Sequence, residues 1–327
     1  MTKTERIAYN LVRRGAARTR AELSKVMDVS RPTASAVADA LIASGLLREG
    51  GKWHSSGGRT PTLLIVRPDA FSLIGIDIDA KGLATGVLVD AEGSIVRSCE
   101  MSPSVDFASH LPNIADRIWK TLDPNFSASG IGLAVPRELA PAASVAVPAS
   151  AGNDLLKLMR KSFVGKFVHM APRLASAALS ESFGGAADQE ENFMLLSLDK
   201  SIEAVLHING RCFCGSHGVA GDIRNIPAVS GDDKNATTLG EALSEKALHD
   251  GIAPERLASI CASGLRHVLA VLDVGAIVLH GRFLDFDDGF IPLLERKLSC
   301  FNCNVKLAAF GRFSASRGAA LETHIGV

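Results

Sequence analysis

The sequence predicts two units of different kind: a small winged helix-turn-helix at the N-terminus and a larger two-lobed α/β body behind it. Three observations predict this. The run from Thr19 to Ser35, TRAELSKVMDVSRPTAS, reads as two short helices around a tight turn, the second opening with small polar and basic side chains. Charge is divided unequally. Residues 1–70 hold 12 Lys/Arg against 6 Asp/Glu, and the remainder holds 23 against 29, so a basic head precedes an acidic body although the net charge is zero. Beyond residue 70, pairs of strand-like segments alternate with helical ones, as in α/β proteins.

A chain of 327 residues with 47% apolar side chains is long enough for two or three ordinary domains with sizeable cores. The first residues, MTKTER, lack a signal peptide's apolar stretch. Arg266, His267 and Asp273 interrupt the longest apolar run. A cytoplasmic protein with no membrane association is expected. Cys99, Cys212, Cys214, Cys261, Cys300 and Cys303 need not form disulfides in that setting.

In the head, Ile7, Ala8, Leu11 and Val12 recur at helical spacing, predicting a helix over about 4–14. Thr19 and Glu22 form a capping-box pair for a second helix that turns Leu23, Val26 and Met27 inward. Asp28-Val29 makes the turn. Ser30 caps a third helix, Pro32 is tolerated in its first turn, and Ala34, Val37, Ala38 and Leu41 form its apolar face before Gly45 ends it. Ser30, Arg31, Thr33 and Ser35 stand at its start, where a recognition helix meets DNA. Arg31 suits bidentate contact to guanine, and the hydroxyls suit phosphate. Next, 46–49 and 52–54 read as short strands about a turn at Gly50-Gly51, followed by Ser55-Ser56-Gly57-Gly58 and Arg59-Thr60-Pro61. This describes a wing. Gly58 allows close backbone approach, and Arg59 suits a narrow A·T-rich minor groove.

In the body, 72–96 reads as two strands joined by a turn, with another turn at Glu92-Gly93. Gly130–Pro136 is a buried strand leading into a loop. Segments 193–198 and 204–210 form a second hairpin-like pair, 273–281 is a strand after a helix, and Gly318 opens or lies within the last helix. The two halves look alike.

This succession resembles the ROK family, which joins sugar kinases to transcriptional repressors on an actin-like, sugar-kinase-like two-lobed α/β body. The resemblance extends over nearly the whole chain. It implies a winged helix-turn-helix over 1–68 and a ROK-like body for effector binding and dimerisation over 69–327. Family repressors carry a Gly-Gly-Arg-Pro-like run at the wing, matched here by Gly57-Gly58-Arg59-Thr60-Pro61.

The departures bear on chemistry. Family kinases hold ATP phosphates on an Asp-Ile-Gly-Gly-Thr turn, and here the segment is Asp77-Ile78-Asp79-Ala80-Lys81. The second glycine-rich phosphate loop falls on 199–205, DKSIEAV, without a glycine. The catalytic base of an Asn-Asp-Ala segment, eight residues before a helical glutamate, falls on Arg173 when counted back from Glu181. Arginine takes no proton from a hydroxyl at neutral pH. No catalytic residue, no cofactor and no phosphoryl transfer are therefore expected.

The family's Gly-Glu-Ile-Gly-His metal and sugar segment becomes Gly221-Asp222-Ile223-Arg224-Asn225, without the histidine, and the cysteine cluster that should follow is absent. Cys212, Cys214 and His217 imitate a zinc knuckle, but free thiols and no metal are expected. For a small sugar-like effector, the resemblance points to Arg137, Asn153, Arg173, Asp222, Arg224, Asn225 and Glu241 around the interlobe cleft. Arg137, Arg173 and Arg224 replace two glycines and an aspartate, leaving three readings open: an anionic effector, structural ion pairs in a decayed cleft, or a neutral sugar.

The expectation is a DNA-binding transcriptional regulator, a repressor linked to carbohydrate or related metabolism. It would act as a homodimer or tetramer on double-stranded DNA with a near-palindromic operator. The rivals are a sugar kinase with an appended DNA-binding domain and a ligand-independent protein-binding scaffold.

Overall fold

The computed structural model describes residues 1–52, 61–78, 83–101, 107–137, 140, 149–199, 202–216, 219–228, 237–244, 252–281 and 289–325. The head consists of α1 (Lys3–Arg13), α2 (Arg20–Val26), α3 (Arg31–Ala43), β1 (Leu47–Lys52) and β2 (Thr62–Val66). Its core gathers Ala8, Tyr9, Val12, Leu23, Ala34, Ala38, Leu41, Leu47, Leu64 and Val66. The inward faces differ in part from the spacing argument. Tyr9 is fully buried in α1 while Ile7 is 45% exposed, and Val26 of α2 is 50% exposed. The helices are short, and their buried faces rotate toward the β1–β2 ribbon and toward Ala91 beyond it.

Thr19 caps α2, accepting from Glu22 N–H at 3.2 Å. The Glu22 carboxylate, however, accepts from Arg18 N–H at 2.6 Å rather than returning to Thr19, so the expected box is half formed. Thr19 also bridges to Leu63 of the wing, which places this corner under tertiary control. Gly50-Gly51 is not the wing's turn. Both glycines lie inside β1, with a register irregularity between Gly50 and Lys52, and the ribbon runs on to Lys52↔Thr62. A Cβ at Gly50 would overlap the Ile65 side chain, so glycine there serves cross-strand packing.

The body has two five-stranded sheets of identical plan. The first takes β3 (Ser72–Ile78), β4 (Ala84–Asp90), β5 (Ile95–Met101), β6 (Gly130–Val135) and β7 (Phe167–Pro172) in the order β5-β4-β3-β6-β7. The second takes β8 (Phe193–Leu198), β9 (Ile202–Ile208), β10 (Arg211–Phe213), β13 (Ala276–His280) and β14 (Asn304–Leu307) in the order β10-β9-β8-β13-β14. In each, an antiparallel meander adjoins two parallel strands. Between β10 and β13 lie the short strands β11 (Pro227–Ala228) and β12 (Thr237–Thr238) and the helices α7 (Leu239–Ala242) and α8 (Pro254–Leu272). The remaining helices are α4 (Phe107–Leu122), α5 (Ala149–Ser162), α6 (Arg173–Glu181), α9 (Phe290–Leu298) and α10 (Ser314–Ile325).

Each lobe has its own apolar core, one around Trp119 stacked between Phe126 and Phe163, the other around Leu196, Leu265, Ile277 and Phe290. Every large side chain so buried contributes about 1.5–3 kcal/mol. Between the lobes the core turns to small residues, Ala134, Ala177, Ala178, Ala315 and Ala319, because α6 and α10 approach closely. A Cβ at Gly318 would overlap the Ser176 carbonyl oxygen. Glu181, fully buried at the end of α6, anchors this layer by accepting from Ala186 N–H, Ala309 N–H, Phe310 N–H and the Ser314 hydroxyl. No helix among the described residues is long and apolar enough to cross a membrane.

Candidate nucleic-acid interface and interlobe cleft

The start of α3 is preorganised. Ser30 accepts from Thr33 N–H at 3.3 Å, and the two hydroxyls lie 2.8 Å apart. Arg31 and Thr33 are exposed, while Ser35 is half-buried against the head. The first turns of α1 and α2 hold Glu5 and Glu22, but that of α3 holds no acid and begins with Arg31. The positive end of its helix dipole is therefore uncompensated, and a guanidinium stands beside it, which suits a polyanion. Arg20 holds the unit rigid by bridging Asp39 of α3 to Glu49 of β1. Gly58 and Arg59 lie outside the described residues.

In the interlobe cleft, the three arginines do not form one cluster. Arg173, the first residue of α6, reaches across to the ends of β3 and β8. Its Nε donates to Asp77 Oδ1 at 2.8 Å and Oδ2 at 3.0 Å, and its Nη1 to Asp199 Oδ2 at 3.3 Å. Asp77 is 3% exposed. Arg173 is thus a guanidinium bound to two carboxylates, one from each lobe. Nearby His280, at the end of β13, is fully buried, and its Nδ1 has no partner among the described residues. Burial and the adjacent Arg173 charge push its pKa down to about 3, so it is neutral near pH 7 and a weak base.

A second group lies around Asp222. Arg224 donates from Nε and Nη2 to the two Asp222 oxygens at 2.8 and 2.7 Å. That pairing holds the Asp222 carboxyl below its usual range, against the opposing effect of burial, and Arg137 of the other lobe adds to it. Arg137 is half-buried and makes no ion pair among the described residues. Asn225 is exposed beside this pair. Glu241 is joined to it through the backbone, since Gly240 N–H donates to Arg224 O at 2.8 Å. The Glu241 carboxylate is itself occupied in the cap of α7, accepting from Thr238 N–H and the Thr237 hydroxyl. Asn153 is exposed on α5, with no bond that ties it to the group. The structure therefore links Asp222 with Arg224 and Arg137, keeps Asn225 and Glu241 beside them along the backbone, and pairs Arg173 with other carboxylates, while Asn153 has no bond to the group among the described residues.

Asp199 and His280 escaped the sequence argument as site residues. Each sits at the end of an apolar strand, and only sheet order places them beside α6. No group of three or more His, Cys, Asp or Glu side chains gathers as a metal site among the described residues, which exclude His217. Burial and the neighbouring Cys214 push the Cys212 thiol up to about 12.

No family model matches the chain. Among curated proteins it is 28% identical over 245 residues to a putative xylose repressor of Caldicellulosiruptor sp. (strain Rt8B.4), covering 70% of this chain and 61% of that protein. It is 26% identical over 215 residues to the xylose repressor of Bacillus subtilis (strain 168), covering 64% and 56%. The matched stretch thus spans less than two thirds of those relatives. Among solved structures, a ROK family transcriptional regulator described as a homolog of the E. coli MLC protein superposes with a TM-score of 0.75 at 16% identity, covering 98% of this chain and 95% of that one. A ROK hexokinase from Thermus thermophilus superposes with a TM-score of 0.59 at 19% identity, covering 77% and 97%. The regulator match takes in head and body, whereas the hexokinase covers about as much of this chain as the body supplies. With a helical head in front of two sheets of one plan, the chain has the fold of the ROK family regulator and is similar in sequence to the xylose repressors.

Proposed function

We propose that the chain is a sequence-specific DNA-binding transcriptional regulator, a repressor of genes of carbohydrate or related metabolism. Residues 1–68 would form the DNA-reading domain and residues 69–327 the dimerising body. The carrying observation is the start of α3: an acid-free first turn, capped by Ser30, presenting Arg31 and Thr33 to solvent on a rigid head. The xylose repressors among its relatives support the link to sugars. The test is selection of genomic fragments by the purified protein at fixed salt. A few sites with two-fold repeats are expected, and Arg31→Ala should relax specificity at one base of each half-site at a loss of about 1–3 kcal/mol. Diffuse binding that vanishes as salt rises would refute the reading.

The same proposal denies phosphoryl transfer to the body. The arginine at the base position is neutralised by Asp77 and Asp199 and takes no proton. ATP consumption with mixed hexoses and xylose should equal background, and turnover above it would restore the kinase rival. We infer further that Arg173 and Arg224 are struts rather than anion receptors. One guanidinium against two carboxylates leaves the floor of the cleft negative, which disfavours an anionic effector there. Titration calorimetry should then show no binding of gluconate or glucose 6-phosphate that depends on Arg224.

A further inference from the structure

The seam between head and body forms an open pocket of about 870 Å³, a size ordinary for small-molecule sites. Helix α1 and strand β2 of the head form one wall. The β4–β5 turn, the end of α6 and the start of α10 form the other. Arg13, Arg14, Arg18 and Arg317 border it against only two acids, Glu92 and Asp188.

Three guanidinium groups surround one phenyl ring. Arg13, Arg317 and Arg14 lie 4.8, 5.7 and 5.9 Å from the centre of Phe183. Arg317 is buried and fully bonded to neutral oxygens. It donates to Gly93 O, Ser180 O and Oγ, and Phe183 O, with its flat face 3.9 Å from the Phe310 ring centre. Its charge has no carboxylate on it, and burial beside Arg13 pushes its pKa down to about 10.

Arg13 is the exceptional group. Its Nε, Nη1 and Nη2 are all sealed from water and have no hydrogen-bond partner among the described residues. Nη2 lies against Gly93, where a Cβ would come within 3.1 Å of it. The acids nearby are engaged elsewhere. Asp90 accepts from Ser94 N–H, and Asp188 from Gly184 N–H and the Gln189 amide. Leaving five donors of a buried cation unbonded is costly, and a guanidinium fork fits the oxygens of a carboxylate or phosphate.

We propose that this seam is a binding site for a small oxyanion of two or more charges, a phosphate ester or a polycarboxylate. Arg14 and Arg18 bond it from the rim, while Arg13 from the head and Arg317 from the body hold it by charge. Occupancy ties α1 to the β4–β5 turn and so sets how the head sits on the body. The site lies apart from the interlobe cleft.

The test uses the full chain without DNA, so it stands or falls independently of the transcriptional reading. Inorganic phosphate, pyrophosphate and citrate are titrated by calorimetry and thermal melting, with chloride matching ionic strength. Pyrophosphate or citrate is expected to bind and raise the Tm beyond the chloride control. Arg13→Met, which keeps the apolar stem, should weaken binding at least tenfold. The exposed Arg14→Gln should weaken it several-fold and serves if the first variant fails to fold. Arg224→Ala in the cleft should leave binding unchanged. Shifts no larger than chloride gives, or binding lost with Arg224 and retained without Arg13 or Arg14, would overturn the proposal.

Discussion

Two arginines in this molecule are half-buried between packed units, and they are treated oppositely. Arg173 between the lobes has a carboxylate from each sheet, with Asp77 taking two bonds and Asp199 one. Arg13 between head and body has no hydrogen-bond partner among the described residues on any of its three nitrogens. Removing a charge from water costs several kcal/mol, and only a well-placed counter-charge offsets that. A paired guanidinium is therefore part of the framework, and an unpaired one in a cavity is an incomplete site. The same side chain, similarly enclosed, carries opposite functional meaning according to what faces it.

The comparison is most sharply broken by substitution. Arg173→Met leaves two carboxylates facing each other without a cation, so urea unfolding should show a loss of about 3–5 kcal/mol. Replacing Asp77 by Asn in that background should restore part of it. Arg13→Met removes a half-buried charge that no carboxylate bonds among the described residues and should leave stability unchanged or raised. Equal losses at the two positions would erase the distinction.

Acid is the next probe. His280 and His207 are neutral in the fold, their pKa values pushed down by burial to about 3 and about 4, with the charges of Arg173 and Arg14 adding. In the unfolded chain each protonates near pH 6.5, so there the unfolded state binds more protons and stability falls as pH drops from about 6.5 toward 4. Each histidine adds a slope of up to about 1.4 kcal/mol per pH unit. Urea midpoints at pH 7.5 and 5 should differ accordingly, and the difference should shrink in a His207→Gln, His280→Gln variant. An unchanged slope would place the titration elsewhere.

Smaller effects test the edges of the comparison. Ser30→Ala should cost about 1 kcal/mol by uncapping α3, while Ser30→Gly costs a few tenths. The Arg224–Asp222 pair has an arginine side chain 50% exposed, so Arg224→Ala should change stability by less than about 1 kcal/mol. A loss as large as that expected for Arg173 would mean that exposure is a poor guide to which pairs matter here.

Local chemistry made much of the head legible. Ser30 caps α3, Asp28 takes the left-handed conformation of the turn at φ 52°, and Gly45 closes α3 at φ 76°. Each depends on residues within a few positions. The misreadings share a cause. Glu22 was drawn off to Arg18 N–H, and Gly50-Gly51 stayed in a strand because Ile65 packs across it. In both, a partner distant in sequence or outside the motif outweighed a local preference.

The order of elements, the repeat of two sheets and the basic head were determined by the sequence alone, because hydrophobic periodicity, turn residues and charge are local properties that survive without coordinates. That residue 173 is a cation and no proton acceptor was equally plain, since arginine is a cation in any surroundings. Tertiary structure decided the partners. That Arg173 meets Asp77 and Asp199 while Arg13 meets no carboxylate among the described residues depends on sheet order and on how α1 lands against the β4–β5 turn. Electrostatic interaction is set by distance and burial, which the chain acquires only when segments distant in sequence are brought together.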